Sequence, residues 1–272
     1  MYSSRPVRPN RPTRPQTSAS SSNKTSWEGV SDWYADYLAK PGTIQAEIVF
    51  PGVARLLACK PQSEHLDIAC GEGSFAHYLL RKTPLTFTGL DASRSLIERA
   101  RARRLPHATF SVGDAANFAA SFAGRRFDSL SCILALQNIE SLVEVFLEAS
   151  QVLKPNAPFV FVLNHPCFRQ PRQSGWGWDE ARKLQYRRVD RYLEAYEMPI
   201  IAHPGSAPEV KTYSYHRPLE YYITGLVQAG FVVDAMEEWT SPKVSTSGPR
   251  AKAENVARQE IPLFLAIRAR KT

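Results

Sequence analysis

From residue 64 to 165 the chain alternates short apolar runs with segments of helical spacing. HLDIAC, LTFTGLD, ATFSVGD, FDSLSCILAL and APFVFVLN have the length and β-branched or aromatic content of strands. SFAHYLLRK, ASRSLIERARARR and SLVEVFLEASQVLK space their apolar residues as amphipathic helices do, the last closed by Pro155-Asn156. The Phe159–Leu163 stretch is apolar without interruption, which predicts a strand covered on both faces. Strands separated by single helices imply βαβ units and therefore a parallel sheet in an α/β fold. Upstream, SWEGVSDWYADYLAK and TIQAEIVFPGVARLLACK predict two helices divided by Pro41-Gly42, with Ser26 or Ser31 as N-caps. Downstream, FVVDAMEEW and PLFLAIRAR predict two more strands.

Composition changes this picture mainly at the N-terminus. The 272 residues carry a net charge of +8, but residues 1–26 hold Arg5, Arg8, Arg11, Arg14 and Lys24 and no acid. The rest has 29 basic and 26 acidic residues, so it is nearly balanced. Arg-Pro recurs every third residue, the period of polyproline II, and TSASSS follows as a linker. Residues 1–26 are therefore expected to be a disordered tail, with 27–272 as the folded domain. A role for the tail as an electrostatic handle for RNA, anionic lipid or a partner stays open beside a plain solvated extension. Deleting residues 1–25 should leave the melting temperature and small-substrate turnover nearly unchanged, because such a tail has little apolar surface to pack. A large drop in melting temperature would contradict this.

No apolar run reaches the roughly 18 residues a membrane helix needs, and no apolar signal-peptide region opens the chain. Cys59, Cys70, Cys132 and Cys167 are scattered without metal-ligand spacing, so reduced thiols, no metal site and a cytoplasmic location are expected.

Chemistry enters at the first strand, which ends in Asp67-x-x-x-Gly71-x-Gly73. Glycines before a helix let backbone N–H groups approach a ligand closely. Ala76 stands where a dinucleotide fingerprint has its third glycine, a tolerated change, so this turn alone leaves an NAD-binding domain open. More specific is the succession of acids at strand edges: Asp67, then Asp91, then Asp114, then Asp128 at the start of the fourth strand.

With these residues the chain resembles the class I S-adenosylmethionine-dependent methyltransferases, in their small-molecule (UbiE/UbiG-like) branch. HLDIACGEGSF, FTGLDAS, FSVGDAANF, FDSLSCILALQNIE and VLKPNAPFVFVLNHP carry the likeness over about residues 60–165. The resemblance implies a doubly wound, mostly parallel, seven-stranded Rossmann-like sheet with helices on both faces. It implies S-adenosylmethionine as cofactor and S-adenosylhomocysteine as product. It also implies a cofactor site at Asp67, Ala69, Cys70, Gly71, Gly73, Asp91, Ala92, Asp114, Ala115 and Leu134, with Asp91 on the ribose and Asp114 and Ala115 near the adenine. Glu72 could touch the cofactor or compensate a helix dipole.

Methyl transfer from a sulfonium is an in-line displacement, so holding donor and acceptor at attack distance is the main task. Gln137 and Asn138 end strand four, Asn164 and His165 end strand five, and ligands of doubly wound sheets lie beyond such ends. His165 is the candidate base or acceptor-positioning residue, Gln137, Asn138 and Asn164 pocket residues. The stretch from about 165 to 215 is read as an inserted helical or loop cap carrying Trp176 and Tyr186 as acceptor contacts. Within it WDEARKLQYRRVDRYLEAYE is read as helical, Trp176-Gly177-Trp178 as a lid, and Arg187, Arg188 and Arg191 as acceptor-facing guanidiniums. A loop over about 240–260 is expected to meet it over the pocket.

A small-molecule acceptor fits better than nucleic acid. Base-methylating enzymes carry an (Asp/Asn)-Pro-Pro-(Tyr/Phe) sequence where Leu136-Gln137-Asn138-Ile139 stands, and the folded part lacks a strong basic bias. The alternatives are an RNA or protein acceptor, and a catalytically silent cofactor-binding adaptor acting through the tail.

Overall fold

The computed structural model describes residues 42–201 and 211–272. The Arg-Pro tail and the first expected helix lie outside the described residues. A π-helical turn, Gln45–Val49, runs into α1 (Phe50–Leu57). There follow β1 (Glu64–Ile68), α2 (Ser74–Leu80), β2 (Thr86–Asp91), α3 (Arg94–Ala102), β3 (Ala108–Val112), β4 (Ser129–Ile133), α4 (Leu142–Val152) and β5 (Pro158–Asn164). Beyond β5 come β6 (Ser174–Asp179), β7 (Leu184–Val189), β8 (Tyr196–Ile201), β9 (Lys211–His216), α5 (Leu219–Gln228), β10 (Phe231–Trp239), α6 (Ala251–Glu260) and β11 (Phe264–Lys271).

Seven strands form one sheet in the order β10-β11-β5-β4-β1-β2-β3. β11 runs antiparallel to both neighbours, and the other pairs are parallel. Period-two alternation sorts the strand side chains onto two faces. Leu66, Ile68, Leu130, Phe159 and Phe161 pack with Val145, Phe146 and Leu226 of α4 and α5. Phe87, Val160 and Val162 pack with Val53, Leu56, Phe75, Leu79 and Ile97 of α1, α2 and α3. Each fully buried side chain of this size contributes about 1.5–3 kcal/mol. Chain order reverses between β1 and β4, which marks the end of that strand pair as the ligand crevice.

The segment after β5 differs from the expected helical cap. It is two hairpins, β6–β7 and β8–β9. The reason is visible in WGWD and LQYRRV: large and small or apolar and charged residues alternate with period two, and the mixed charges concealed it. Trp176-Gly177-Trp178 lies in β6 rather than in a loop lid. The expected 240–260 loop likewise contains α6, which packs on β7, with the Arg250 guanidinium 4.5 Å from the Trp178 ring. The two insertions therefore do meet.

Candidate active site

Three loops gather at the β1/β4 crevice. After β1, Ala69 and Gly71 adopt left-handed backbone (φ 55 and 56), and after β4 Leu134 does so as well (φ 55). Non-glycine residues held there cost about 1–3 kcal/mol each, and such positions cluster at functional sites. Cys70 N–H donates to Leu90 O at 2.9 Å, tying the glycine turn to β2. Gly113 N–H donates to Asp91 O at 2.9 Å, tying β3 to the same point.

Asp91 is the hub of the turn. Its Oδ2 accepts from Gly71 N–H and its Oδ1 from Ser93 N–H, each at 2.9 Å. Ala92, exposed, bridges it to Ser93, whose hydroxyl caps α3 by accepting from Leu96 N–H. Glu72 is buried and spoken for: Arg103 at the end of α3 bonds its carboxylate at 2.7 Å and its carbonyl at 2.6 Å. Glu72 thus braces the turn from α3. Gly71 faces open space, since an added Cβ would meet nothing within 4 Å, whereas one on Gly73 would meet Phe110 at 3.2 Å and Ala100 at 3.3 Å. Gly71 is the cradle; Gly73 is required by packing.

Asp67 is fully buried, and burial pushes its carboxyl up to about 7, against a hydrogen bond from Ser131 that lowers it. The Cys70 and Cys132 thiols are driven up by burial, then by the neighbouring carboxylates, so both are neutral. At the β3 end Asp114 is exposed and accepts from Ala116 N–H at 2.9 Å, and Ala115 is buried behind it.

The acceptor side divides. Gln137 is buried, donates through Nε2 to Leu134 O at 2.6 Å, and leaves Oε1 with no partner. Asn138 sits half-buried in the same turn, and Asn164 is exposed at the end of β5. β9 lies over this turn: Arg217, just past β9, donates to Ile139 O (2.9 Å) and Glu140 O (2.6 Å), and Tyr215 is buried beside Glu140. Neither Arg217 nor Glu140 stands out in the sequence as a site residue, because Arg217 is separated from strand four by some 80 residues of chain.

Trp176 and Tyr186 cannot both line one pocket. Trp176 pairs with Arg187, and Tyr186 lies over Gly177, so they occupy opposite faces of the β6–β7 hairpin. Trp176 is flanked by the Arg169 and Arg187 guanidiniums at 5.4 and 5.3 Å. Arg187 bonds Phe168 O and Ser174 Oγ, Arg188 pairs with Asp190 and Arg191 with Glu194, so these three arginines serve the insertion itself.

His165 departs most from expectation. Its imidazole is buried and donates from Nε2 to Glu238 Oε1 at 2.7 Å, because Nδ1 already accepts from Cys167 N–H at 3.2 Å. Glu238 belongs to β10, on the far side of β5 from β4 and β1. Burial holds the imidazole below its ordinary value, against the opposing pull of Glu238. The ring turns toward the sheet edge, where both nitrogens are engaged. Among the described residues, no group of three or more His, Cys, Asp or Glu is placed to hold a metal, and no helix is long and apolar enough to cross a membrane.

The strand order and the crevice define a doubly wound, Rossmann-like α/β sheet, the fold of solved S-adenosylmethionine-dependent methyltransferases. Residues 66–156 match the family described as "Methyltransferase domain". The chain is 38% identical over 98 residues to a demethylmenaquinone methyltransferase of Thermotoga maritima, covering 36% of this chain and 42% of that one. It is 32% identical over 103 residues to a 2-phytyl-1,4-naphtoquinone methyltransferase of a Nostoc strain, covering 36% and 45%. It thus spans less than half the length of these relatives. The crystal structure of an S-adenosylmethionine-dependent methyltransferase from Mesorhizobium loti superposes with a TM-score of 0.65 at 24% identity, over 85% of this chain and 99% of that one.

Proposed function

We propose that this protein is an S-adenosylmethionine-dependent methyltransferase acting on a small-molecule acceptor. The observation that carries the reading is Gly71: it faces open space beside Asp91, in a turn that β2 and the end of β3 tie down. That cradle fits the cofactor. Asp91 is suited to its ribose hydroxyls, Asp67 to its ammonium, and Ala115 with Leu134 to the apolar edge of its base. When bound, the cofactor supplies an electrophilic methyl on a sulfonium. The chain's residues orient the acceptor and exclude water, which is where positioning gains its rate.

Acceptor choice falls to the Gln137–Glu140 turn and to segments outside the matched 66–156, namely the two hairpins and α6. The named relatives are a demethylmenaquinone methyltransferase and a 2-phytyl-1,4-naphtoquinone methyltransferase, and the aromatic content of the hairpins is compatible with a ring-bearing acceptor. A cytoplasmic location with reduced cysteines, and no nucleic-acid contact beyond a weak one through the basic tail, belong to the same reading. Incubation with methyl-labelled cofactor and a fractionated extract tests it. Label in small metabolites is expected; label in RNA or protein, or cofactor binding without transfer, would overturn it.

His165, on this reading, is a positioning residue that fastens the start of the insertion to β10. His165→Ala should raise the acceptor KM several-fold and leave both cofactor affinity and the pH–rate limbs in place. Loss of a limb near the ordinary histidine value of about 6.5 would restore it as a base.

A further inference from the structure

The α1/α2 face of the two central strands carries a stripe of polar groups of which the cofactor reading uses only Asp67. In register, His65 faces Ser129 and Asp67 faces Ser131 across the β1/β4 pair. All four are buried, with His65 and Ser131 at 0% exposure. They form a continuous chain. Ser131 Oγ donates to Asp67 Oδ1 at 2.5 Å, His65 Nε2 lies 2.9 Å from Ser131 Oγ, and His65 Nδ1 lies 2.8 Å from Ser129 Oγ. Cys59 Sγ, 3.4 Å from Ser129 Oγ, is its outer end. Phe75 and Phe87 pack on the imidazole, with ring centroids 6.1 and 5.2 Å away, and seal it from water.

Proton counting gives the chain one direction when Asp67 is ionised. The single Ser131 proton goes to the carboxylate, so His65 must donate from Nε2 and accept at Nδ1 from the Ser129 hydroxyl. We propose that His65, Ser129 and Ser131 are positioning residues that hold Asp67 as an oriented anion for the ammonium of the cofactor's amino-acid half. This rests on the cofactor reading given above. Were Asp67 protonated, its O–H could donate to Ser131, and every bond in the chain would reverse, moving the His65 proton to Nδ1. The imidazole therefore reports the charge of Asp67 while remaining neutral itself, since burial lowers it to about 3.

Other groups around Asp67 do not supply this support. Asp91 on β2 opposes its ionisation by charge, Cys70 and Cys132 are neutral thiols, and Glu72 is paired with Arg103. With the carboxyl titrating about 7, an ammonium ligand binds the ionised form, so affinity should rise with pH through 7 and level off above it.

The test is calorimetric titration of S-adenosylhomocysteine between pH 6 and 8.5 into wild type, Ser131→Ala, His65→Leu and Ser131→Thr, with histidine 15N and Asp67 13Cγ NMR on the unliganded proteins. Removing a hydrogen bond to the charged form should move the Asp67 midpoint up by about one unit or more. Ser131→Ala should then bind about tenfold more weakly at pH 7, with the gap narrowing toward pH 8.5; His65→Leu, which loses only the bond that orients Ser131, should shift in the same direction by less, and Ser131→Thr should recover most of the loss. In wild type the His65 proton should sit on Nε2 above pH 7.5. Variants that track the wild-type pH profile, or an Asp67 carbon titrating near the ordinary 4 in every protein, would overturn the relay while leaving the cofactor reading intact. Absence of binding by wild type at every pH would instead overturn the cofactor reading. Should Ser131→Ala not fold, the wild-type tautomer and Asp67 midpoint decide the matter alone.

Discussion

Replacing Asp91 with alanine is expected to weaken S-adenosylmethionine binding roughly 30- to 150-fold, measured by calorimetry at pH 8. A carboxylate can accept about four hydrogen bonds, so the group that fixes the turn through Gly71 and Ser93 can also take a ribose hydroxyl. The expected loss is about 2–3 kcal/mol, the upper part of what hydrogen bonds to a charged partner contribute, and each 1.4 kcal/mol is a factor of ten in affinity. Alanine loses the ribose contact and loosens the turn that presents Gly71, and the two losses act in the same direction. Asp91→Asn keeps one acceptor oxygen and should fall between the two. Unchanged affinity in the alanine variant would remove Asp91 from the ribose site.

The strands from 64 to 164 were legible because they are short, largely apolar runs, and because β1, β2 and β4 each lead into a helix with a different period. The Gly71 turn was legible for a different reason: its glycines and the acids at the strand ends are marked by residue type and spacing rather than by a hydrophobic period. The hairpins were misread because a helix and a charged amphipathic hairpin both scatter Arg, Glu and aromatic residues. What separates them is cross-strand pairing, such as Trp176 with Arg187, which needs the partner strand to be known.

His165 illustrates the limit for single residues. Its position after an apolar strand was readable, but its partner Glu238 lies 73 residues away in sequence, and the Cys167 N–H bond depends on local backbone. The relay had a fainter signature. In FDSLS and HLD, polar residues recur at every second position within otherwise apolar runs, which puts them on one face of a buried sheet. Two such stripes on adjacent strands must satisfy each other, since an unpaired buried polar group costs about 1–3 kcal/mol.

The two glycines of the cofactor turn should separate binding from stability. At Gly71 a side chain must adopt φ near +56 but meets no atom within 4 Å, so Gly71→Ala should cost about 1–2 kcal/mol of stability. That corresponds to a melting-temperature drop of roughly 2–8 °C for a domain of this size. Its methyl group would nonetheless occupy the space that cofactor backbone contacts need, and the bulkier Gly71→Val should abolish measurable binding. At Gly73 the order reverses. The left-handed backbone (φ 80) is combined with contacts to Phe110 and Ala100 at 3.2 and 3.3 Å, each requiring those side chains to yield. Overpacking adds about 1–3 kcal/mol to the backbone cost, so Gly73→Ala should melt lower than Gly71→Ala. Whatever Gly73→Ala remains folded should keep more cofactor affinity than Gly71→Val, because its methyl points into the α3/β3 packing rather than the cradle. Equal affinity loss with equal melting shifts in the two alanine variants would mean that both glycines serve packing alone. The open space beside Gly71 would then have another occupant.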